Sequence, residues 1–304
     1  MIPSAARPIG AASVLASFTA WVVLANMAVA AEAPPTKYLL RYKFAMGETL
    51  RYEVNHATNV RTTMEASTQQ AETQSDSVKA WKVTDVLPTG EMEFIHLVER
   101  VRMSNQTPER PAIVYDSRTD KKPPRGFDQA ARAVGVPLSL IRISPEGAIT
   151  HREEKHPQPA VTPDMPITLH LPRDPVAVGD KWDDQYDIPA ERKSGAKIQV
   201  RTRRVCELRE VSAGIAVIAV EYQVLTPVDP YVRSQLVDRI AKGTVHFDVE
   251  RGRVVKQIHD VDARVLGFAG KASSMHFISR LQEKLLQPEP PLPQVQQASA
   301  VEPK

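Results

Sequence analysis

Apolar and polar residues alternate along most of this chain. Tyr38, Leu40, Tyr42, Phe44 and Met46 occupy every second position, separated by Leu39, Arg41, Lys43 and Ala45. Period two over nine residues predicts a half-buried strand. Gly47 interrupts the run, and Leu50, Tyr52 and Val54 resume it, which predicts a hairpin or bent strand pair. Residues 55–77 are rich in Thr, Gln, Glu and Ser, with Val60 and Met64 among the few large apolar residues. This leaves a wet strand and an irregular loop both open. Residues 78–86 return to a strand pattern with Trp81 and Val83 on one face, and Leu87-Pro-Thr-Gly90 is a turn signal. From Glu91 to Met103 both faces are largely apolar: Met92, Phe94, His96 and Val98 on one, Ile95, Leu97, Val101 and Met103 on the other. That predicts a strand covered on both sides in its middle.

The first helix signal is Phe127 to Val134, with Asp128 as candidate cap and Gly135 and Pro137 as terminators. A hairpin is expected around Ser144-Pro-Glu-Gly147. Six prolines between His156 and Pro175 then read as a linker. Beyond it come a strand start at Trp182, Asp184 and Tyr186, and long alternating strands over 197–208 and 215–225. A helix follows, with Asp229 as N-cap, Pro230 at its first position, and Val232, Leu236, Val237 and Ile240 as its apolar stripe. Gly243 is read as its end. A hairpin is expected around Glu250-Arg-Gly252. Residues 266–286 fit a strand through Met275, Phe277, Leu281 and Leu285, or a helix through Ile278, Leu281 and Leu285; the strand is preferred. Gly47, Gly90 and Gly147 match Gly179, Gly214 and Gly252 in order, which is compatible with an internal duplication.

The N-terminal 30 residues break the alternation. Arg7 precedes an apolar centre from Val14 to Leu24, and Ala28-Val29-Ala30 forms a small-residue exit before Ala31. This is the pattern of a secretory signal peptide cleaved between Ala30 and Ala31, with an uncleaved anchor as the alternative. The expected location is periplasmic or extracellular. The organisation is then a leader at 1–30, a β-rich half at 31–155, a Pro-rich linker at 156–177, a second β-rich half at 178–286, and a disordered Pro/Gln tail at 287–304. No later stretch is apolar enough for a helical span. Cys206 is the only cysteine, so no internal disulfide is expected, and its place on a strand face predicts a buried, inert thiol. The 39 Lys and Arg nearly balance 36 Asp and Glu, for a net charge of +3, which argues against a nucleic-acid partner.

Four short motifs, Gly47-Glu-Thr-Leu-Arg-Tyr52, Ser144-Pro-Glu-Gly147, Val178-Gly-Asp-Lys-Trp182 and Phe247-Asp-Val-Glu-Arg-Gly252, occur in an order that resembles a family of exported bacterial proteins of unknown function. The resemblance spans Tyr38 to Leu286. It implies a lipoprotein-carrier-like fold, in which helices cover the concave face of a curved antiparallel sheet, and it implies binding of an apolar or lipid-like ligand. The expected fold class is therefore α+β, mostly β, with a long curved antiparallel sheet or sheets and two short helices.

Motifs for nucleotide binding, for a serine nucleophile and for zinc proteases are absent from the sequence. A non-enzymatic protein without a cofactor is expected, binding an apolar ligand or else an envelope protein. An envelope hydrolase is a third reading. Arg204 stands on the otherwise apolar face Ile198, Val200, Thr202, Arg204, Cys206, Leu208. It is expected either to pair with a buried carboxylate such as Glu221 or to sit at the rim of an apolar cavity, where it suits carboxylate or phosphate groups. His246, His259 and Asp248 form a weak metal-site candidate if the last hairpin pairs with an odd register; a slip of one residue parts the two histidines. Asp180, Asp183, Asp184 and Asp187 are read as a turn and a charged edge strand rather than a carboxylate pair for glycoside hydrolysis.

Overall fold

A computed structural model describes residues 35–108, 110–157 and 167–287. The expected leader, its cleavage residues Ala30 and Ala31, and tail residues 288–304 lie outside the described residues. Among the described residues, no helix is long and apolar enough to cross a membrane.

The first half supplies β1 (Lys37–Tyr38), β2 (Thr49–Met64), β3 (Ser67–Val86), β4 (Met92–Thr107), β5 (Arg110–Asp116), the helix α1 (Asp128–Ala133), β6 (Pro137–Ile143) and β7 (Ile149–Glu154). The second half supplies β8 (Val176–Ala177), β9 (Lys181–Glu191), β10 (Lys197–Ser212), β11 (Ile215–Val224), the helix α2 (Pro230–Gln235), β12 (Lys242–Asp248), β13 (Arg253–Leu266) and β14 (Ser273–Leu285). One curved, open antiparallel sheet of 12 strands holds all of these except β1 and β8, which pair with each other. Its path is β7-β6-β4-β3-β2-β14-β13-β12-β11-β10-β9, with β5 beside β4. The expected mostly-β class with two short helices is what the chain adopts. Both halves share a single sheet. Leaving aside β5, each lays down five strands along this path in the same order, with a helix between the third and fourth, and β14 stands between the two sets.

The polar stretch 55–77 is strand. Its side chains bond to one another across the β2–β3 pair: Asn55 donates to Asp76 (2.8 Å), Asn59 to Glu72 (2.8 Å), and the Thr63 and Thr68 hydroxyls meet at 3.0 Å. Such cross-strand pairs stabilise a sheet without an apolar face, so hydrophobic periodicity does not register them. The stretch 266–286 settles as a strand, β14, paired with β2 on one side and β13 on the other.

Four expectations are corrected. The segment 39–44 has the predicted alternation, with Leu40, Tyr42 and Phe44 buried, but it belongs to no sheet. Its backbone bonds instead to turns: Tyr42 N–H to Pro145 O (2.7 Å) and Lys43 N–H to Gly252 O (2.9 Å). Asp229 caps α2 as expected, accepting from Val232 N–H at 2.9 Å, but the helix ends at Gln235 and Gly243 lies within β12. Asp128 does not cap α1; Phe127 occupies that position without a side-chain bond. The described part of the expected linker, 167–177, is packed: Leu169, Leu171, Val176 and Ala177 are buried. It crosses from the β6–β7 turn, where Leu171 N–H reaches Glu146 O (2.7 Å), to β9, where Trp182 Nε1 donates to His170 O (2.8 Å).

The core is aromatic. Trp81 stacks on Phe94 with centroids 4.8 Å apart, Phe44 packs edge-on to Phe94, and Tyr42 meets Phe247 edge-on at 5.4 Å. Such pairs add about 0.5–1.5 kcal/mol each beyond the area they bury.

The turn glycines differ in what surrounds them. A Cβ on Gly252 would lie 2.5 Å from Arg41 O and 2.6 Å from Lys43 N, whereas one on Gly214 would meet nothing within 4 Å; both have positive φ. Gly214→Ala is therefore expected to cost about 1–2 kcal/mol from backbone strain alone. Gly252→Ala is expected to cost roughly 1–3 kcal/mol more, because the 39–44 segment must move. Urea unfolding of the two variants checks the difference.

Candidate functional site

The inner face of the sheet carries a partly open cavity of about 440 Å³. Strands β2, β3, β4 and β9 to β14 all contribute lining residues. Ile167, Thr168 and Leu169 of the crossing segment, and Asp238, Arg239 and Ala241 after α2, complete the lining. Ile188, Val245, Val261 and Leu281 give the walls apolar surface.

Arg204 lines this cavity and is buried at 3% exposure, as its place on an apolar strand face implies. Its carboxylate partner is Asp184, not Glu221. Nε and Nη2 donate to the two Asp184 oxygens at 2.9 and 3.2 Å, and Nη1 donates to Thr168 O at 3.2 Å. Strand register decides this. Arg204 stands opposite Asp184 on β9 and Tyr222 on β11, so all three share the inner face. Glu221 is one residue out of step, faces outward, and pairs with Lys242 at 3.0 Å. Burial opposes charge on Arg204, but Tyr222 and Asp184 outweigh it and raise the pKa. The rest of the acidic run is structural. Asp180 accepts from Ala177 N–H (2.8 Å) in the turn before β9, and Asp187 pairs with Arg201 (3.3 Å) on the outer face of an edge strand, which Asp183 shares. Cys206 is fully buried, and desolvation pushes its thiol up to about 12, which suits an inert group.

The metal candidate comes apart. Near the turn Phe247 pairs with Val254, the odd register required, but a bulge between His246 and Phe247 shifts the rest so that His246 pairs with Lys256. His246 and Asp248 consequently face outward, while His259 pairs with Gly243 and faces the cavity. Among the described residues, no group of three His, Cys, Asp or Glu is placed to hold a metal. Gly243 has a different task from ending a helix. A Cβ there would lie 2.4 Å from His259 Nδ1 and 2.5 Å from Ile258 O, so glycine makes room for the imidazole.

Several lining residues went unnoticed in the sequence. Lys79 Nζ contacts Glu283 Oε1 at 2.6 Å, with side chains 16% and 6% exposed, and sits over the rings of Tyr52 and Trp81 at 5.2 and 5.0 Å. Gln257 joins Glu283 (2.9 Å) to His259 (3.1 Å). His96 Nδ1 and Trp81 Nε1 are buried without a protein partner. Desolvation, aided by Lys79 and Arg152, lowers the His96 pKa to about 3; burial also lowers His259 and His56. The signal for the ion pair was present. Lys79 interrupts the face carrying Trp81 and Val83, and Glu283 interrupts Leu281 and Leu285, as Arg204 interrupts its own.

No protein-family model and no curated protein matches this chain. Among solved structures it is similar to DynF from the dynemicin biosynthesis pathway of Micromonospora chersina, at 7% identity over 85% of this chain and 88% of that one, with a TM-score of 0.22. It is also similar to a DUF1329 family protein from Desulfovibrio piger, at 10% identity over 75% and 83% of the two chains, with a TM-score of 0.13. At these TM-scores the likenesses carry no argument.

Removing one member of a buried pair strands the other charge. Asp184→Ala is expected to destabilise by about 3–5 kcal/mol, and Glu221→Ala by less than about 1 kcal/mol; chemical denaturation of the two variants checks the contrast. His96 gives a pH test. The unfolded ring takes up its proton near 6.5 and the folded ring only near 3, so stability falls as pH drops through that window. The slope from this group approaches about 1.4 kcal/mol per pH unit, and His96→Leu is expected to flatten it in unfolding curves recorded across that range.

Proposed function

We propose that this protein is a non-catalytic binding module that holds an apolar, lipid-like molecule against the inner face of its sheet. The carrying observation is the cavity of about 440 Å³ on that face, lined by ten aliphatic or aromatic residues and eleven polar or charged ones. Its size matches small-molecule sites, and its mixed lining suits a ligand with both an apolar and a polar part. The ionisable groups around it favour holding over chemistry. Lys79 and Arg204 are each tied to a carboxylate, and the Cys206 thiol is protonated and enclosed. Asp183 of the acidic run and His246 of the metal candidate face away from the cavity.

The reading includes export. Arg7, the apolar centre and the Ala28-Val29-Ala30 exit support a cleaved leader. A carrier outside the cytoplasm would hold a poorly soluble molecule where no cytosolic protein reaches it.

Intact-mass spectrometry of protein purified from its own host tests both parts. The denatured mass is expected to correspond to a chain beginning at Ala31. The native spectrum is expected to show an added mass that organic extraction removes, and Leu281→Trp, which narrows the cavity, is expected to reduce its occupancy. A ligand-free native spectrum, together with no uptake of an added uncharged fluorescent lipid, would sink the binding reading.

A further inference from the structure

We infer that the ligand is an uncharged amphiphile, whose polar end lies in the cavity beside Lys79, Glu283 and His259 and whose apolar chain passes His56 into a second cavity. The inference rests on the binding reading above and specifies its ligand. Two observations carry it.

The first is adjacency. A second cavity of about 510 Å³ adjoins the first, and His56 and Asp238 stand in the walls of both. It runs between the far ends of β2, β3, β4 and β14 and the α2 region. Val60, Met103, Val237, Met275 and Phe277 give it an apolar strip beside eight polar residues, and no Lys or Arg lines it. A strip of methionine, valine and phenylalanine without a cation suits a hydrocarbon chain.

The second observation is charge. Three cations line the first cavity, and each is matched by the protein itself: Lys79 with Glu283 (2.6 Å), Arg204 with Asp184 (2.9 Å), and Arg239 with Asp238 (3.2 Å). Three of the five N–H donors of Arg204 go to Asp184 and Thr168 O, and its charge is balanced by Asp184. Burial keeps His56, His96 and His259 neutral at ordinary pH. A carboxylate or phosphate brought here finds no open cation, and a desolvated charge without a partner is strongly disfavoured. A hydroxyl, ester or amide finds Gln257, His259 and the outer lone pairs of Glu283, which exchange hydrogen bonds with neutral groups.

Decan-1-ol and decanoate share a chain and differ in charge, so isothermal titration of the full chain with each, at about pH 8 where the acid is ionised, tests the inference. The alcohol is expected to bind at least about tenfold more tightly. Glu283→Gln leaves the Lys79 ammonium without its carboxylate, and decanoate affinity is expected to rise by about tenfold or more in that variant. The increase should vanish in Lys79→Met/Glu283→Gln, which carries neither charge. Decanoate binding to the unmodified chain as tightly as the alcohol would overturn the inference and leave the binding reading standing. Binding of neither compound would overturn both. If Glu283→Gln does not fold, the alcohol-to-acid ratio of the unmodified chain decides alone.

Discussion

Tyr42 and Lys43 are adjacent, yet their N–H groups bond to turns from different halves of the chain, Pro145 O in one and Gly252 O in the other. The rest of the arrangement depends on this pin. It fixes the segment 39–44 across the core, which places Leu40, Tyr42 and Phe44 among Trp81, Phe94 and Phe247. The Tyr42 hydroxyl then accepts from Leu169 N–H at 3.0 Å and holds the crossing segment that walls the cavity. Gly147 and Gly252 are glycine for one shared reason: a side chain at either would occupy the space of residues 41–43. A buried backbone outside any sheet needs partners for its N–H groups, and the two turns supply them.

Curvature gives the inner face its mixed character. A flat sheet would expose Lys79, Glu283, Gln257, His259 and Arg204 to water or bury them under a uniform layer. Here they converge from strands β3, β14, β13 and β10, so that they bond to one another or to close neighbours. Opposed charges at this depth survive because each meets its partner with good geometry. Lys79 gains further from the two aromatic rings beneath it.

Much of the strand content was legible because alternation reports burial directly, as β10 and β11 show. The polar β2–β3 arm was not, because its stabilising pairs are Asn–Asp and Thr–Thr contacts across strands, invisible to any reading along one strand. Arg204 could be selected as an inner-face charge by parity alone. Its partner could not, because Asp184 and Glu221 differ only in register, and register is set by turns and bulges. The same limit undid the histidine pair, where the bulge after His246 reverses the face of every residue beyond it. The 167–177 segment looked like a linker because its prolines obscure Leu169, Leu171 and Val176, which are buried.

The place of β14 also bears on how the chain assembles. Its ladder to β2 joins residues roughly two hundred positions apart and is the only link between the two sets of five strands within the described sheet. Contacts of such span form late and slow folding. During synthesis β2 waits at an open edge while the remaining strands emerge, a state that invites pairing with other chains. The waiting edge is polar from Asn55 to Thr63, with Val60 as its one large apolar residue and Arg61 among the rest. The arm that contributes least to the core is therefore the one least apt to aggregate before its partner arrives.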